Sequence, residues 1–111
     1  MKTPTMDEMI ADCEKSKKPG EVIAFGIGAG RVMPRIFDSR KQKKAMKDAI
    51  EYIKKLDGFL GLHPYDEWHT LIIFDELNNA KQGYNLMKSK GIPLGQIAPV
   101  LIPFVYAKGV E

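Results

Sequence analysis

Cysteine is nearly missing from this chain: its 111 residues contain one, Cys13. A lone thiol excludes an internal disulfide and a thiolate cluster for zinc, and it suits a reducing compartment. Long apolar runs are missing as well. No stretch approaches the ~20 residues that a bilayer-spanning helix needs, so no membrane role is expected. The opening Met1-Lys2-Thr3-Pro4 soon turns acidic, unlike a secretory signal peptide. The expected location is cytoplasmic. Low-complexity segments and linkers are also lacking, and at this length the chain is expected to form a single domain over 1–111. It would comprise an N-terminal helix within 1–19 packed on an α/β core within 21–107. The contents of 44% hydrophobic and 28% charged residues are ordinary for a folded protein and exclude general disorder.

Charge is present and unevenly spread. The net charge is +3, yet residues 31–60 hold nine basic and four acidic side chains, whereas 1–30 and 61–111 each hold four basic and five acidic. The excess therefore belongs to one region.

Thr5 with Glu8 three residues on forms a capping box, and Met6, Met9, Ile10 and Cys13 fall on one stripe, so a helix is expected from Thr5 to Lys17, stopped by Pro19-Gly20. The apolar run Val22-Ile23-Ala24-Phe25 predicts a buried strand over 21–27, followed by a turn at Gly28-Ala29-Gly30. Arg31 to Phe37 reads as a further strand, with Pro34 at an edge or bulge. Ser39 and Gln42 repeat the capping box ahead of Met46, Ala49, Ile50, Ile53 and Leu56 at helical spacing, which predicts a helix over 39–56.

Phe59–Leu62 reads as a short strand, His63-Pro64-Tyr65-Asp66 as a turn, and Trp68–Phe74 as a strand rich in β-branched and aromatic residues. Asp75 is expected to cap a helix over 76–90 with Leu77, Ala80, Tyr84 and Met87 facing inward. A last strand over 97–106 would contain Pro99 and Pro103. Ile36-Phe37-Asp38 and Ile73-Phe74-Asp75 both lead straight into helices. That echo favours an α+β fold: a ferredoxin-like two-layer sandwich, with an antiparallel sheet and two helices on one face, preceded by an N-terminal helix and an extra strand. The rival is a three-stranded parallel βαβαβ layer in which 31–37 and 59–62 are loops.

No catalytic constellation emerges. Gly26-Ile27-Gly28-Ala29-Gly30 follows a strand, as a dinucleotide-binding turn would, but Arg31 stands where that turn needs its last glycine, and the helix begins eight residues later. His63, Asp66, Glu67 and His69 gather metal-capable side chains at a spacing that matches no metal motif. Cys13 has no base near it in sequence and reads as a packing residue. No cofactor and no metal are expected.

The basic helix is the leading functional surface. Arg40, Lys43, Lys44 and Lys47 share a face opposite Met46, Ile50 and Ile53, and Arg31 and Arg35 could join from the preceding strand. Pairing of Asp48 and Glu51 with Lys44, Lys47 and Lys55 at helical spacing would dilute that face. The first expectation is a non-enzymatic binding or regulatory module acting on a protein partner or on a second copy of itself through exposed sheet edges. The second is a protein that binds nucleic acid, or nucleic-acid machinery, through the basic helix 39–57, and the weakest is a small-molecule or metal site.

Overall fold

The computed structural model describes residues 4–30, 37–64 and 69–103. Its elements, in chain order, are helix α1 (Met6–Ser16), strand β1 (Glu21–Gly30), helix α2 (Arg40–Lys54), strands β2 (Phe59–Pro64) and β3 (His69–Phe74), helix α3 (Leu77–Ser89) and strand β4 (Leu94–Pro103). The fold is α+β: three helices and a four-stranded, wholly antiparallel sheet in the order β2-β3-β1-β4. A parallel three-stranded layer is thereby excluded.

Both capping boxes form. Thr5 and Ser39 each accept from the backbone of the residue three positions on, and Glu8 and Gln42 reach back to them. The third helix start differs from the sequence reading. Its N-cap is Glu76, with no side-chain cap, because the Asp75 carboxylate accepts from Asn79 Nδ2 at 2.9 Å instead.

The larger correction concerns β1. The glycines expected to turn the chain lie inside this strand, which runs through to Gly30. Ala29 pairs with Thr70 on one side, and Gly26 pairs with both Ile73 and Ala98. A strand bonded along both edges gains backbone partners that a turn would lack. Glycine at position 26 also leaves room for a neighbour, since a Cβ there would lie 2.7 Å from Leu71 Cδ1. The strand expected as an addition in front of the sheet is thus one of its two central members. Most of the segment expected as the next strand, 31–36, lies outside the described residues, and Phe37 sits in a turn. Residues 104–106, the expected end of β4, also lie outside them, and β4 begins at Leu94 instead of Ile97. His63-Pro64, expected in a turn, ends β2.

Phe25, Ile27, Ala29, Ile72 and Phe74 line one sheet face and pack with Ile53 of α2, Ala80 and Met87 of α3, and Met6 and Ile10 of α1. All three helices therefore share that face. Gly83 brings α3 close to the sheet, for a Cβ there would stand 2.6 Å from the Phe74 ring. The other face carries Ala24, Ile73 and Ile102, with Val22, Leu60, Leu71 and Val100 packed around them.

Helix α2 is held mainly at its C-terminal end. Ile53 is fully buried, Tyr52 and Leu56 pack beside it, and residues 40–45 are all exposed. Ile53→Ala should therefore cost about 2–5 kcal/mol of unfolding free energy in urea, the range for emptying a core aliphatic site.

Candidate functional site

The capping box at Ser39 fixes where α2 starts. Ser39 N–H donates to Gln42 Oε1 at 3.0 Å, and Gln42 N–H donates to Ser39 Oγ at 3.2 Å. From that point Arg40, Lys41, Lys43, Lys44, Lys47 and Lys54 all project from the helix and are exposed, with Lys55 at its C-cap. Met46, Ala49 and Ile50 are half-buried. Of the six residues singled out from sequence, Arg40, Lys43, Lys44 and Lys47 thus stand together on the exposed side of α2. Arg31 and Arg35 lie outside the described residues.

The expected neutralisation by Asp48 and Glu51 does not occur. Among the described residues the one ion pair within 4.0 Å is Lys17–Glu14, at the C-terminal end of α1. Exposed lysines gain little from pairing in water and lose side-chain freedom when they pair. The cations of α2 are accordingly left to solvent.

The position of Arg40 and Lys41 is unfavourable for the helix itself. The N-terminal end of a helix carries partial positive charge, so acidic residues stabilise the first turn and basic ones destabilise it. The first turn of α1 contains Asp7 and Glu8; that of α2 contains no acid and opens Arg40-Lys41. Sequence reasoning counted the charges without weighing this placement, which the capping box and first-turn composition could have shown.

The other sequence leads come apart. The glycine run forms no phosphate-cradling turn, and the Gly30 amide donates to the Pro93 carbonyl at 3.3 Å. His63 pairs in register with Leu71, and His69 with Gly30. Among the described residues no three His, Cys, Asp or Glu side chains are grouped to hold a metal ion. Cys13 is half-buried, and its thiol donates to the Pro99 carbonyl at 3.8 Å.

Concavities mark the surface in several places, two of them beside β3 and α2. A groove of about 280 Å³ on the second sheet face is walled by Leu71, Ile73, Val100 and Ile102, with His63 and Pro103 also in its lining. A cleft of about 380 Å³ lies between α2 and the end of α3, lined by Ala45, Asp48, Ala49, Tyr52, Lys90 and Ile92. Lys90 Nζ stands 5.1 Å from the centre of the Tyr52 ring there.

The edge of β4 is poorly suited to strand pairing. Proline has no N–H, so Phe25–Pro99 and Glu21–Pro103 are pairs of the non-hydrogen-bonded type, and both proline nitrogens face the free edge. That edge therefore lacks two donors, and α1 meets it at the Pro99 carbonyl.

No family model matches this chain, nor does any curated protein or solved structure. No described helix is long and apolar enough to cross a membrane.

If the lysines of α2 serve solvent or a partner and not the fold, removing them should leave stability nearly unchanged. Lys44→Ala and Lys47→Ala are each expected to shift the unfolding free energy by no more than about 0.5 kcal/mol, measured in urea.

Proposed function

We propose that this protein is a non-enzymatic binding module that engages nucleic acid through the exposed face of α2, with Arg40, Lys43, Lys44 and Lys47 contacting phosphates. The observation that carries the reading is a run of exposed cations, unpaired among the described residues, of which Arg40 and Lys41 open the helix at its positive end and oppose its stability there. Local choices that run against a segment's own preferences concentrate at functional surfaces. A phosphate backbone offers those cations compensation that the protein does not.

The scaffold in this reading is a ferredoxin-like sandwich. Support comes from β1 crossing through α2 to β2, and β3 crossing through α3 to β4, in a sheet ordered β2-β3-β1-β4. A cytoplasmic setting belongs to the same reading, supported by a single half-buried cysteine.

A protein partner, or a second copy of the chain, is the second reading. The groove bordered by Leu71, Ile73, Val100 and Ile102 favours it, because the partly buried Leu71 and Val100 on its walls leave apolar surface that an apolar partner would cover. Pairing through the β4 edge draws no support from the outward prolines.

Fluorescence anisotropy with labelled single- and double-stranded oligonucleotides tests the nucleic-acid reading. Binding to duplex should weaken with salt by about 0.9 log units per log unit of salt for each phosphate contacted. Combined charge reversal at Lys43, Lys44 and Lys47 should abolish it. Unchanged affinity after that reversal, or no binding at low salt, would overturn the assignment.

A further inference from the structure

Phe37 is 97% exposed, the most exposed large hydrophobic side chain among the described residues. Its counterpart in the repeated Ile-Phe-Asp sequence, Phe74, is fully buried and meets Phe59 edge to face at 6.3 Å. The phenylalanines of the two copies thus have opposite fates, and burial does not explain the aromatic at position 37. Phe37 stands two residues before the Ser39 cap, with Arg40, Lys41, Lys43 and Lys44 following within the next seven positions. An open aromatic side chain accordingly precedes, by three to seven positions along the chain, a row of cations that make no ion pair with any described residue.

From this juxtaposition we infer that Phe37 is a base-stacking residue and that the partner of α2 is a single-stranded nucleic acid. The inference rests on the nucleic-acid reading above and narrows it. Single-strand sites combine a basic track for the backbone with aromatic side chains on which bases stack. In a duplex the bases are stacked on one another, and the exposed ring finds no open base to cover.

An anionic lipid surface is the competing polyanion. An interfacial helix, however, buries a whole apolar face in the bilayer. The apolar side of α2 turns toward its own protein, with Met46 and Ile50 half-buried and Ile53 in the core. One phenylalanine does not replace that face.

The test compares wild type, Phe37→Ala and Phe37→Trp on a labelled single strand of about 15 nucleotides and on its duplex, at low salt. Phe37→Ala should weaken single-strand binding about 5- to 150-fold, the equivalent of one lost base stack. Duplex binding and the salt dependence should stay the same, since the ring holds no phosphate. Phe37→Trp should retain single-strand affinity, and its added indole emission should be quenched by the single strand and not by the duplex.

Full exposure of the ring makes misfolding a poor account of any loss, and unchanged duplex binding is the control for it. Equal losses on both probes, or none on the single strand, would overturn the stacking role while leaving the basic face of α2 standing. If wild type binds neither probe, the nucleic-acid reading itself fails and this inference with it. Vesicles of phosphatidylserine and phosphatidylcholine form the third arm. Binding to them that depends on Phe37 would assign the ring to a lipid surface and overturn the proposal.

Discussion

The architecture depends on β1 being hydrogen-bonded along both edges, to β3 on one side and β4 on the other, because both of those strands take their register from it. Its odd-numbered residues Phe25, Ile27 and Ala29 supply the middle of the main core, and its even-numbered residues Val22 and Ala24 belong to the second face. Small residues at Ala24, Gly26 and Gly28 keep that second face low along β1 while Leu71, Ile73, Val100 and Ile102 rise on either side. The groove there is a consequence of this profile. It follows directly from the alternation of side chains along a strand.

Helix α2 answers to two opposed demands. Ile53, Tyr52 and Leu56 tie its C-terminal end to the core, whereas its first six residues touch water and include four cations. Two of those cations open the helix at its positive end, where charge of that sign is least favourable. The capping box at Ser39 offsets part of this cost, typically by about 1 kcal/mol. A helix anchored at one end and charged at the other presents its basic surface clear of the sheet. That separation lets a binding surface change without disturbing the core.

Much of the secondary structure was legible in local chemistry. Capping boxes at Thr5 and Ser39, the apolar stripe ending at Ile53 and the β-branched run before Phe74 each specify an element through near neighbours alone. The glycine run was misread because glycine signals both a turn and a close approach between strands. Only the presence of Leu71 across the sheet decides between them. Asp75 was misread for a similar reason: a carboxylate able to cap a helix can equally accept from Asn79.

Spacings of three and four residues were enough to specify the starts of α1 and α2, the amphipathic division of α2 and the clustering of Arg40, Lys43, Lys44 and Lys47. Tertiary structure alone decided that β1 is central, that the helices share one sheet face, that Asp48 and Glu51 leave the lysines unpaired, and that Phe37 is exposed while Phe74 is buried. The physical reason is range. Hydrogen-bond register and burial are set by residues distant along the chain, and two identical Ile-Phe-Asp sequences carry no local mark of which phenylalanine the core will enclose.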